Sequence, residues 1–142
     1  MSGPAAARLY TVDLLALAVE LAQYPFDAAA PYRGHSRSRT CGSTLAVSFC
    51  EQVSGVGLAV TACAVGQAAA AIFARHCEAQ GPGAIAPALR GIQSWLSGSG
   101  ELPDWPDFVL LAAARDHPGR HEALMLPWKA ALDALSSAPR AG

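Results

Sequence analysis

The chain carries little charge and no excess of either sign. Of its 142 residues 15% are charged, and 10 Lys+Arg against 11 Asp+Glu leave a formal net charge of -1, so the basic footprint of a nucleic-acid-binding surface is missing. Long apolar runs are missing too. The longest candidate, around Leu14 to Ala22, is interrupted by Glu20, whereas a membrane-spanning helix needs about 18 or more unbroken apolar residues. The basic-then-apolar order of a secretory signal is absent from the N-terminus, because the apolar stretch comes late and includes Asp13 and Glu20. The expectation is a cytoplasmic protein with no membrane and no nucleic-acid partner. No Ser/His/Asp hydrolase set, phosphate-cradling glycine loop or zinc-protease motif occurs, and Gly81-Pro82-Gly83 reads as a helix break. No internal repeat and no long linker divides the chain, which argues for one domain over residues 1–142.

What is present is apolar. Hydrophobic residues make up 52% of the sequence, enough at this length for a real core. From Thr11, a plausible N-cap, Leu14, Leu15, Ala18, Val19 and Ala22 recur at helical spacing, predicting an N-terminal helix that ends before Tyr24-Pro25. Three extended pieces follow, Gly34 to Thr40, Thr44 to Cys50 and Val56 to Ala62, with a turn at Ser54-Gly55 between the last two. Alanine-rich sequence then predicts a helix from Cys63 to Gly81. A second runs to Leu96, with Ile85, Leu89, Ile92 and Leu96 on one stripe and Pro87 tolerable only in its first turn. A short apolar helix is expected at Phe108 to Arg115. In the last helix His121, Met125, Trp128, Leu132 and Leu135 share a face, while Lys129 and Asp133 can pair on the other. One helix, three strands and four helices make an α+β fold, a small three-stranded antiparallel sheet with the helices packed on one side.

The four cysteines are the candidates for chemistry. A core of this size needs no disulfide, so ligand, nucleophile and plain core residue all stay open for them. Cys63 and Cys77 are separated by 14 helical residues, about 21 Å, and Cys41 and Cys50 by a mostly extended stretch of about 30 Å. Geometry therefore selects Cys41 and Cys63, which a hairpin would bring to the same end of the sheet. Cys63 also begins a helix, whose positive end favours thiolate. Cys50 and Cys77 read as small core residues, and His35 and His76 as surface or structural histidines.

Taken together, Thr40-Cys41-Gly42-Ser43, the run from Ala62 to Ala70, Trp95-Leu96 and the run from His117 to Leu132 resemble the NifU/IscU-type iron-sulfur cluster assembly scaffold family over about residues 9–135. The resemblance implies a non-enzymatic scaffold that holds iron or a transient 2Fe-2S cluster, or zinc, on three cysteines and an aspartate. It also implies a cysteine desulfurase as sulfur donor and recipient apoproteins as partners. Carried across, the first two cysteines match Cys41 and Cys63. The aspartate two residues after the first cysteine is Ser43 here, and the third cysteine falls on Ala123. The nearest replacements are His121 and Glu122, of which His121 is the candidate third ligand. Serine is a poor metal donor at neutral pH and alanine is none, whereas a stable site needs four donors. Two other readings follow from the shortage: an accessory that accepts persulfide and passes it on, or an interaction module that kept the fold without the chemistry.

Overall fold

The computed structural model describes residues 11–39 and 42–137. Helix α1, Val12–Glu20, is capped by the Thr11 hydroxyl, which accepts from the Leu14 N-H at 3.1 Å. It continues as a short 3-10 turn, Leu21–Gln23. Its buried residues are Leu14 and Leu17, while Val12, Leu15 and Val19 face solvent. The stripe therefore sits a step away from the one the spacing predicts. Apolar residues surround this helix on most sides, so periodicity alone does not choose the inward one.

Strands β1 (Tyr32–Arg37), β2 (Thr44–Phe49) and β3 (Gly57–Thr61) form an antiparallel sheet in the order β1-β2-β3. β1 starts two residues before the expected Gly34, because Tyr32 and Arg33 pair with Phe49 and Ser48. It ends at Arg37, where the Ser38 N-H donates to the Ser43 carbonyl at 2.8 Å and closes the hairpin loop. The β2–β3 connection turns where the sequence places it, with the Cys50 N-H bonded to Ser54 at 2.9 Å and Gly55 at φ +65°.

Three α-helices follow. α2 (Ala64–Gln80) and α3 (Ile85–Leu96) match the expected spans, with Pro87 in the first turn of α3. α4 is His121–Ser136. The expected short helix is present as a 3-10 segment, Phe108–Asp116, entered through Asp107 in the left-handed region at φ +66°. α2 is buried nearly all round, with Ala68 through Phe73 fully inaccessible. A helix apolar on every side belongs inside a core, and α2 packs against α1, α4, β3 and the 3-10 segment.

α4 lies across β1 and β2 and also touches α2 and α3. Its fully buried positions are Ala123, Leu124, Trp128, Ala130, Ala131 and Ala134, with Leu126 close to them. Of the face expected from the sequence only Trp128 is fully buried; His121, Met125, Leu132 and Leu135 are half-buried. The sheet selects the alanine side, because β1 and α4 come together at Gly34. A Cβ there would collide with the Ala130 carbonyl and the Ala134 N-H, so small residues on both partners set the spacing. Asp133 serves that same edge: its Oδ2 accepts from the His35 backbone N-H at 3.0 Å. An aromatic cluster anchors the far side of α4. Trp128 meets Phe73 and Trp105 edge-on at centroid distances of 5.5 and 5.4 Å, while Phe73 and Trp105 stack at 5.7 Å.

Candidate functional site

Register fixes which residues share an end of the sheet. Arg37, Thr44 and Thr61 stand in one row across the three strands. Beyond that row lie the β1–β2 loop on one side and Ala62-Cys63 on the other. Cys41 itself falls outside the described residues, but the positions flanking it, Arg39 and Gly42, belong to the loop at this end.

Cys63 is the N-cap residue of α2, in extended conformation at φ -66°, ψ 172° and half-buried. The turn from β3 into the helix is held by Gln67, whose Nε2 donates to the Ala62 carbonyl at 2.8 Å. Cys63 makes no side-chain capping bond, and as the N-cap residue it sits at the helix end that favours negative charge.

Ala123, at the position matched to the third cysteine, is fully buried, and it packs over this same first turn. A Cβ built on Gly66 would lie 3.3 Å from the Ala123 Cβ. Small residues on both sides let the start of α4 approach the start of α2. Ser43, at the position matched to aspartate, is 5% exposed at the base of the loop.

Glu122 links the parts. Its Oε1 accepts from the Ser38 hydroxyl at 2.9 Å and from the Arg39 N-H at 2.8 Å, tying the cysteine-bearing loop to the first turn of α4. The sequence places Glu122 next to the lost cysteine, but no local signal announces a bond spanning more than eighty residues. His121, the candidate third ligand, is bonded through one ring nitrogen. Its Nε2 lies 2.8 Å from the Arg115 carbonyl, which joins the ring to the end of the 3-10 segment.

The other two cysteines lie at the opposite end of the sheet. Cys50 is exposed in the β2–β3 connection. Cys77 is fully buried, its thiol 3.6 Å from the Val53 carbonyl in the same connection, and burial pushes its pKa up to about 12. His35 is exposed beside Asp133, and His76 contacts Asp107 at 2.7 Å.

Among the described residues no group of three or more His, Cys, Asp or Glu could hold a metal ion. Ser43 and Ala123 supply no good donor, one oxygen of Glu122 already accepts two protein bonds, and one nitrogen of His121 is engaged. The described residues on their own do not fit a four-donor metal centre.

A three-stranded antiparallel sheet, an N-terminal helix and later helices covering one face make up the α+β fold of this chain. Two solved structures share it. The N-terminal part of a nitrogen-fixing NifU-like protein from Brucella abortus matches with a TM-score of 0.78 at 23% identity, over 93% of this chain and 95% of its own. A structure described as an iron-sulfur cluster assembly scaffold protein for the SUF system, from thermophilic Fervidobacterium islandicum AW-1, matches with a TM-score of 0.72 at 15% identity. That match covers 89% of this chain and 96% of the other. No protein-family model and no curated protein sequence matches the chain. At these identities the likeness is one of fold. No described helix is long and apolar enough to cross a membrane.

Proposed function

We propose that this is an iron-sulfur cluster assembly scaffold-like protein with an incomplete ligand set. It works in the cytoplasm without catalytic turnover, and Cys41 and Cys63 handle sulfur, iron or a transient 2Fe-2S cluster as cargo. The observation that carries the reading is the placement of a half-buried Cys63 at a helix start, in a fold shared over 93% of the chain with a NifU-like protein. A cysteine desulfurase as donor and apoproteins as recipients complete the proposal. Zinc on the same thiols would need further donors, from His121 through Nδ1, since its Nε2 faces the Arg115 carbonyl, and from water or a partner.

The donor shortage favours a second reading, in which the thiols accept persulfide and relay it. The Cys63 thiolate attacks the outer sulfur of the desulfurase persulfide, the donor S-S bond breaks, and the desulfurase leaves as thiolate while Cys63 becomes the persulfide. One sulfur atom moves and no external oxidant is required.

Incubation with a cysteine desulfurase and free cysteine, followed by peptide mass analysis, tests both. One sulfur atom gained on Cys63 or Cys41, with none on Cys77, supports the proposal. Sulfur on neither Cys63 nor Cys41, in a chain that also takes up no iron, leaves only a fold without the chemistry.

A further inference from the structure

The outer face of the sheet is divided. Toward the β2–β3 connection it is covered by the segment after α1, where Ser48 is fully buried and its hydroxyl accepts from the Asp27 N-H at 3.0 Å. Arg33 reaches the same cover and donates to the Ala28 carbonyl. Toward the thiol end nothing described lies over it. There the rows His35, Ala46, Ala59 and Arg37, Thr44, Thr61 form a shallow open depression of about 430 Å³.

Its floor is two alanines and two threonines, too small to fill it. Its rim is cationic. Arg37 is exposed and makes no ion pair among the described residues, while Arg39 lies beyond it in the loop with its backbone N-H bonded to Glu122. His35 contacts Asp133 at 3.8 Å, at the sheet edge. No carboxylate lines the depression itself, so Arg37 is the fixed charge of its lining. Thr61 stands two residues before Cys63, which makes the depression continuous with the thiol end.

We propose that this open half-face is a docking surface for an acidic segment of a partner protein. A carboxylate would meet Arg37, and small or apolar neighbours would lie over Ala46 and Ala59. A partner seated there comes to rest beside Cys63. The inference deepens the function proposed above by giving that exchange a partner surface, but the docking itself needs neither sulfur nor metal.

The test uses the isotope-labelled full chain and two synthetic peptides. One is acetyl-Gly-Leu-Asp-Val-Asp-Ala-Glu-Gly-amide, and the other carries Asn and Gln in place of its acids. Saturable amide shifts confined to residues 35–37, 44–46 and 59–61 are expected with the acidic peptide, weakening with salt. Binding should fall about tenfold or more with the amide peptide and with Arg37→Glu. Arg37 is exposed, so the reversal leaves folding intact, and unchanged shifts outside the depression verify this. No shift with the acidic peptide, equal shifts with both peptides, or shifts mapping to another face each overturn the docking surface. A chain that binds the acidic peptide here but accepts no sulfur from a desulfurase would remove the function proposed above and leave this surface standing.

Discussion

Glu122→Ala should free the cysteine-bearing loop without unfolding the domain. From the described residues of that loop the carboxylate receives two hydrogen bonds, at 2.9 Å from Ser38 and 2.8 Å from Arg39. A bond to a charged acceptor contributes about 1.5–3 kcal/mol when shielded. Ser38 is buried but Arg39 is exposed, so about 1 kcal/mol for each is the reasonable scale, or about 2 kcal/mol in all. That corresponds to a change of about 30-fold in the opening equilibrium of the loop. Hydrogen exchange reads such local openings directly. The Arg39 amide should exchange about 30-fold faster in Glu122→Ala, and by a smaller factor in Glu122→Gln, which keeps a neutral acceptor. Alkylation of Cys41 should accelerate in parallel, with amides in α2 unaffected. Unchanged Arg39 exchange in Glu122→Ala would refute the tether. Equal loss of protection in the loop and in α2 would show that Glu122 supports the whole fold instead.

Gly34→Ala should destabilise the domain by about 3 kcal/mol or more, read by thermal or urea unfolding, because the new methyl meets backbone of α4 that cannot move aside. Cys77 should be the slowest cysteine toward iodoacetamide near neutral pH, well behind half-buried Cys63, given its burial and its raised pKa; peptide mass analysis that finds Cys77 modified before Cys63 contradicts this. Acid stability should depend on Arg75, whose guanidinium lies 2.6 Å from Glu20 and 3.1 Å from Asp107. Hydrogen bonding to Arg75 lowers the Glu20 pKa, and bonding to His76 and then Arg75 lowers that of Asp107. A depressed carboxylate contributes stability above its unfolded pKa and loses it as pH falls through the folded one. Stability should therefore drop from the ordinary carboxylate range downward, and Arg75→Ala should flatten that acid limb of a urea-unfolding series.

Local chemistry made much of the fold legible. Thr11 reads as an N-cap and is one, Ser54-Gly55 reads as a turn and is one, and the proline-free alanine run after Cys63 becomes α2. Features set by distant neighbours were hidden. Leu14 and Leu17 face inward where Leu15 and Val19 were expected to join Leu14, because α2 chooses the side of α1 and the apolar residues do not. The alanine face of α4 is buried against β1 because Gly34 admits it. The segment Phe108–Asp116 follows left-handed Asp107 and winds as a 3-10 helix despite its apolar, helix-like composition. At the thiol end the sequence selects Cys63 and the loop around Cys41, since strand reversal and helix start are both local signals. The tether from Glu122 to Ser38 and Arg39 depends on a contact between chain segments far apart in sequence, and no spacing encodes it.

Anaerobic iron-sulfide reconstitution tests whether Cys41 and Cys63 form a thiol site short of two donors. The natural chain, Ser43→Asp, Ala123→Cys and the double variant should be compared by metal analysis, zinc affinity and absorption spectrum. Ala123 packs over the first turn of the helix that Cys63 begins, so a thiol there joins the same end of the fold. The natural chain should hold zinc or a cluster weakly and below one equivalent. The double variant should gain more than the two single changes together, because donors to one ion act cooperatively. A natural chain that already binds one full equivalent tightly, with no gain from the double variant, would refute the shortage and place the remaining donors on other residues.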